Sequence, residues 1–267
     1  MPDIEKHAPG SFCWIELATS DQNSAKSFYT ALFNWTANDS PMAPGEFYTI
    51  FQLRGRAAAG GYTLMPDQRS QGVPPNWLLY VCVENADESA SRAASLGGKI
   101  LRGAFDVFGF GRMAVLQDPA GAVFAVWQPL QHAGIGVQED PGSFCWADLS
   151  LPDRNAAIPF YEGLFGWKIT PGEGKENDAS VYLHIKNGEQ LIGGVPSASQ
   201  RDPNAPPHWL IYFAVEDVFA SADKAKAMGA AIYFPPTKME HVGDLSVLAD
   251  PQGAVFALFT LEKKEAA

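Results

Sequence analysis

Two acids and two phenols at matched places are the residues of this 267-residue chain best suited to chemistry. Glu16 follows Trp14 by two positions in one apolar run, Asp148 follows Trp146 by two in another, and Tyr80 and Tyr212 sit in later apolar runs. A carboxyl enclosed among aromatic rings holds its proton more tightly, because burial penalises the ion, and it can then serve as a general base. A phenol beside it can donate to a developing oxyanion. The same residues also have a plain structural reading: buried acids need partners, and Tyr80 and Tyr212 would satisfy Glu16 and Asp148 while fixing the fold.

Other chemistries find less support. Cys13, Cys82 and Cys145 form no CxxC pair and read as reduced, small, buried apolar residues. Phe108 to Arg112 is glycine-rich but lacks the lysine and the strand-to-helix setting of a phosphate loop. Of His7, His132, His184, His208 and His241, only His208 falls in a stretch expected to border a cavity, and its counterpart is Asn76. A metal site built from His208, Glu240, His241 and Asp244 would have no ordinary ligand spacing behind it.

The elements that must carry these residues come in duplicate. Pro9 to Trp35 aligns with Pro141 to Trp167 at 15 of 27 positions without a gap, at an offset of 132. The same offset joins PPNWLLYVCVEN to PPHWLIYFAVED and DPAGAVFAVW to DPQGAVFALF, whereas the middle slips to 133 at Gly60-Gly61 and Gly193-Gly194. Trp14, Trp35 and Trp77 pair with Trp146, Trp167 and Trp209, and Trp127 faces Phe259. These matches place one domain over residues 9–129 and a second over 141–262.

Within a copy, residues 11–18 read as a strand, and Ser20 or Asp21 caps a helix whose apolar stripe is Ala25, Phe28, Tyr29, Leu32 and Phe33. Strands are expected at 47–53 and 57–64, then at 77–83. Asn85 caps a short alanine-rich helix that ends at Gly97-Gly98, and strands follow at 99–102, 113–117 and 122–128. Pro159 falls inside the corresponding helical stripe of copy two and should delay or bend that helix. Strand alternation puts Trp14, Glu16 and Ala18 on one face, and Cys13, Ile15 and Leu17 on the other.

The strand, the run Asp21, Ala25, Phe28, Tyr29, Leu32, Phe33 and Trp35, the Val-Glu-Asn or Val-Glu-Asp helix entry and the closing DPxGxxF strand resemble the vicinal-oxygen-chelate superfamily. Glyoxalase I, extradiol dioxygenases and bleomycin-resistance proteins belong to it. The resemblance covers nearly the whole chain, once per copy. It implies an α+β fold of four βαβββ modules forming two half-open barrels, each with a ligand cavity on its concave side.

It also implies four metal-ligand positions per barrel, and here these carry Trp14, Leu78, Ala125 and the Gly60 to Tyr62 stretch, with Trp146, Leu210, Ala257 and Gly193 to Val195 in copy two. None of these residues offers the donor that a divalent metal needs, so no metal and no cofactor is expected. Since a ligand position faces the cavity, Glu16, Tyr80, Cys82, Val123 and Trp127 do as well, and so do Asp148, Tyr212, Ala214 and Phe259. With Trp14, Trp146 and His208 they form the expected small-molecule sites.

A formal net charge of −11 opposes binding to nucleic acid or anionic membranes. No apolar run is long enough for a membrane span and no leader is recognisable, which points to a cytoplasmic protein, monomeric or a homodimer. The leading function is metal-free binding of a small, partly aromatic or cationic molecule. The alternatives are a lyase, isomerase or dioxygenase that uses an unrecognised metal or Glu16 and Asp148 as bases, and a protein-interaction module.

Overall fold

The computed structural model describes residues 4–172, 180–240 and 242–261. Copy one runs β1 (Phe12–Thr19), α1 (Gln22–Phe33), β2 (Thr36–Ala43), β3 (Glu46–Leu53), β4 (Arg56–Thr63), α2 (Pro66–Ser70), β5 (Asn76–Cys82), α3 (Ala86–Ser95), β6 (Lys99–Val107), β7 (Gly111–Gln117) and β8 (Val123–Pro129). Copy two repeats it as β9 (Phe144–Ser150), α4 (Ile158–Phe165), β10 (Lys168–Pro171), β11 (Leu183–Asn187), β12 (Gln190–Val195), β13 (His208–Ala214), α5 (Val218–Ala227), β14 (Ala231–Met239), β15 (Gly243–Ala249) and β16 (Val255–Leu261).

Local chemistry sets the helix starts. Asp21 accepts from the Ser24 amide at 3.0 Å and opens α1, and Asn85 accepts from the amides of Asp87 and Glu88 to open α3. Copy two opens with a single 3-10 turn, and α4 begins only at Ile158 with Pro159 in its first turn, so it spans 8 residues against 12 in α1. That is the delay a proline without a backbone donor imposes. Sequence reading missed β2, whose pattern is almost wholly exposed and carries no apolar alternation.

Each copy is one eight-stranded open sheet, in the order β2-β3-β4-β1-β5-β8-β7-β6 and β10-β11-β12-β9-β13-β16-β15-β14. The outer members of a module pair in parallel, β1 with β4 and β5 with β8, and the antiparallel β1–β5 pair joins the two modules. These are the four βαβββ modules expected, in two sheets that do not close. Among the described residues, no helix is long and apolar enough to cross a membrane.

One hydrophobic cluster serves both copies. Its polar spine is a mirrored relay: Trp77 Nε1 donates to Tyr29 Oη at 3.0 Å and Tyr29 Oη to Asp250 Oδ2 at 2.9 Å, while Trp209 Nε1 donates to Tyr161 Oη at 3.0 Å and Tyr161 Oη to Asp118 Oδ2 at 3.0 Å. The other oxygen of each aspartate accepts from backbone amides of its own DPxG turn. The indoles of Trp35 and Trp167 likewise donate across the copies, to the carbonyls of Gly142 and Gly10. The FY, Trp and DP signatures therefore tie the two sheets to each other and leave the other face of each sheet to other residues.

Candidate functional site

The strand register gathers the chemically capable residues at the middle of each sheet. Glu16 lies between Gly60 of β4 and Leu78 of β5, Trp14 opposite Tyr80, and Tyr80 beside Ala125 of β8. In copy two Asp148 lies between Gly194 and Leu210, Trp146 opposite Tyr212, and Tyr212 beside Ala257. The positions proposed to line a cavity thus stand side by side across four neighbouring strands.

A second phenol, unforeseen from sequence, completes each group. Tyr48 Oη donates to Glu16 Oε1 and Tyr80 Oη to Glu16 Oε2, both at 2.7 Å, and Trp14 Nε1 donates to Tyr48 Oη at 3.0 Å. Tyr182 and Tyr212 each donate to Asp148 at 2.6 Å, and Trp146 Nε1 donates to Asp148 Oδ1 at 3.0 Å and to Tyr182 Oη at 2.9 Å. Tyr48 and Tyr182 reach their acids by passing over Gly60 and Gly194, where a Cβ would collide with the phenol. A signal did exist, since each tyrosine precedes its glycine by 12 residues, but it is hidden at an offset of 133: the strand register sets Gly60 against Gly194, an offset of 134, not against Gly193.

Burial raises the proton affinity of Glu16 and Asp148, and the phenol donors pull it partly back. Burial followed by the facing carboxylate pushes the phenols of Tyr48, Tyr80 and Tyr212 well above the usual tyrosine range. Because Tyr48 already accepts from Trp14, its own proton points at Glu16. The group is therefore a carboxyl saturated by donors, able to exchange a proton and to orient a polar ligand atom, under walls of indole and phenol.

Other predicted residues fall nearby with different partners. Trp127 lies flat over Gly111, donates to the His132 carbonyl at 3.0 Å and meets Tyr80 ring to ring at 6.5 Å, as Phe259 meets Tyr212 at 6.2 Å. His208 binds the Pro206 carbonyl through Nδ1 at 2.8 Å, and burial lowers its pKa while Asp148 pulls it up. Two further histidines lie against the same aromatic groups. His132 packs on Trp14 at 4.5 Å, and His184 on Tyr182 at 5.3 Å, on a strand position that copy one fills with Ile50. Strand parity does not reach the inter-copy segment or the slipped middle region, which carry these two histidines. His241 lies outside the described residues.

The residues present do not fit a divalent metal. Trp14, Leu78 and Ala125 have no lone pair to give, Glu16 is a single acid with both oxygens already bonded, and the same holds for Asp148 in copy two. Among the described residues, no group of three or more His, Cys, Asp or Glu is placed to hold an ion.

Comparison with known proteins agrees with this architecture. The family model "Glyoxalase/Bleomycin resistance protein/Dioxygenase superfamily" matches residues 11–126 and again 145–258. "Putative glyoxylase CFP32" of Mycobacterium tuberculosis is 34% identical over 259 residues, 97% of each chain. "Anthracycline biosynthesis protein DnrV" of Streptomyces peucetius is 32% identical, over 97% of this chain and 96% of its own. Among solved structures, the Mn(II)-bound glyoxalase of Novosphingobium aromaticivorans superposes with a TM-score of 0.65 at 14% identity, covering 95% of this chain and 83% of that one. The 2,3-dioxygenase LapB of Pseudomonas sp. KL28 gives 0.63 at 11%, covering 97% and 93%.

Proposed function

The chain belongs to the glyoxalase/bleomycin resistance protein/dioxygenase superfamily, and we propose that within it this protein binds a small, partly aromatic molecule without a metal. The observation that carries this reading is the hydrogen-bonded group at the centre of each sheet. There the family's metal would need open donors, and the chain instead presents one acid with both oxygens taken by phenols at 2.6–2.7 Å. Indole and phenol walls favour flat, apolar ligand bodies, and a few fixed polar groups orient them. The superfamily's description includes bleomycin-resistance proteins, and two relatives are named for anthracycline biosynthesis, which fits a role in handling small organic molecules.

The test is a screen of aromatic and cationic small molecules by ligand-induced melting shift, with and without a chelator. A shift that ignores the chelator and disappears in Trp146→Ala supports the reading. Near-stoichiometric metal in protein purified without chelator, with a shift that the chelator abolishes, overturns it.

One observation favours a second reading, proton transfer. Asp148 has a raised pKa, and His184 and His208 both act on it electrostatically. In that case Asp148 takes a proton from the bound molecule, and the carboxyl, no longer charged, frees the O–H of Tyr182 or Tyr212 to turn to the charge left behind. Turnover by the wild type that vanishes in Asp148→Asn while binding persists would establish this chemistry.

A further inference from the structure

The group around Trp14 already contains a further ring from the chain itself. The His132 imidazole stands perpendicular to Trp14, with centroids 4.5 Å apart at 89°, and meets Trp127 at 6.1 Å and 72°. It is held there by a pinned segment. The amides of Leu130 and His132 both bond the Phe110 carbonyl, Trp127 Nε1 donates to the His132 carbonyl, and the Ile135 amide bonds the Cys13 carbonyl at 2.7 Å. Gly134 presses so closely on the Cys13 carbonyl that no Cβ would fit.

The consequence for access is an asymmetry. Trp14 keeps 3% of its surface exposed and Trp127 5%, whereas Trp146 and Phe259 are only half-buried. The two indoles are otherwise anchored alike, each through Nε1 to the phenol that reaches over the glycine.

We propose that His132 occupies in copy one the place that a ligand takes in copy two, so that the second site binds a neutral planar ring of imidazole size, packed perpendicular to Trp146, while the first is closed by its own side chain. This rests on the binding reading above and narrows it to one site and one chemical class. The ring in copy one is tolerated as a flat apolar body: its Nε2 is buried with no hydrogen-bond partner. Burial, with a smaller push from His7, lowers its pKa to about 4, so it stays uncharged at neutral pH and the place beside the indole disfavours a cation.

The probe is 4-methylimidazole, the histidine side chain as a free molecule, added at about pH 9 where it carries no charge. The indole N–H resonances of 15N-labelled protein, assigned with Trp14→Phe and Trp146→Phe, report each site separately. In the wild type the Trp146 signal is expected to move with added probe and the Trp14 signal to stay. In His132→Ala, both are expected to move, because the vacated ring position takes the free ring. Equal response of Trp14 in the wild type, or an unresponsive Trp14 in a folded His132→Ala, overturns the closure. His132→Gly and the wild-type arm keep the test open if His132→Ala does not fold. A silent Trp146 overturns the ligand class. If another aromatic compound still raises the melting temperature through Trp146, that result sinks the narrower inference and leaves the binding reading standing.

Discussion

In copy one, Trp14 lies beneath His132 and the segment that leads into copy two; in copy two, Trp146 is half-buried, with His184 and His208 around Asp148 instead. The acid, the two phenols and the indole are the same in both, apart from one methylene between Glu16 and Asp148. Duplication thus preserved the hydrogen-bonded floor of each site while the surroundings diverged. Floors are hard to change because each donor there is already committed to a partner, and removing one strands another. The residues around them, from the inter-copy segment in one case and from β11 and β13 in the other, carry no such constraint.

The comparison can be broken at its symmetric part first. Tyr29→Phe leaves Trp77 Nε1 without an acceptor and Asp250 Oδ2 without its donor, and Tyr161→Phe does the same to Trp209 and Asp118. Each is expected to cost about 3 kcal/mol, read from the denaturation midpoint at constant slope. Costs that differ between the two by more than about 1 kcal/mol would show that the mirrored relays are not equivalent in energy.

The asymmetric part has a pH signature. The unfolded chain binds a proton at His132 below about pH 6.5, whereas burial in the native state depresses that pKa to about 4. The stabilisation from keeping this ring neutral is therefore complete above pH 6.5 and falls as pH drops through the window to about 4, by on the order of 2–3 kcal/mol. His132→Leu should flatten this acid limb in a series of melts. Glu16 and Asp148 act in the opposite sense: with native pKa values raised by burial, they favour the folded state most at low pH and less as pH rises through those values.

Smaller substitutions sharpen the comparison of the floors. Gly60→Ala and Gly194→Ala place a methyl group where Tyr48 and Tyr182 pass, and each is expected to cost about 2 kcal/mol and to release its phenol from the acid. A tyrosine whose ultraviolet titration moves back towards the ordinary range would record that release. Least of all should come from the mirrored surface ties, Lys224 Nζ to the Ala31 carbonyl and Arg92 Nε to the Gly163 carbonyl, both 2.6 Å long and exposed. Lys224→Ala and Arg92→Ala should each shift stability by less than about 1 kcal/mol.

Much of this molecule could be read from its residues. Alternation and caps located β1, α1, β5 and α3 to within about two residues, because amphipathic period and capping act locally. The pairing of Glu16 with Tyr80 and of Asp148 with Tyr212 followed from strand parity. Tyr48, Tyr182, His132 and His184 did not, since their places depend on register shifts and on where a linker returns to the sheet. Nor did sequence show that Tyr29 and Asp118 serve the opposite copy. A motif shared with a family marks what is constrained, and here the constraint on these residues is the contact between two sheets.

The Tyr29–Asp250 bond spans 221 positions of chain. Contacts so distant close late, because the loop entropy must be met before they form. During synthesis the first sheet therefore emerges before the residues of copy two that cover Tyr29 and Trp77, Phe213 and Asp250 among them. For this protein the vulnerable period lies in translation, and a slower second half would lengthen it.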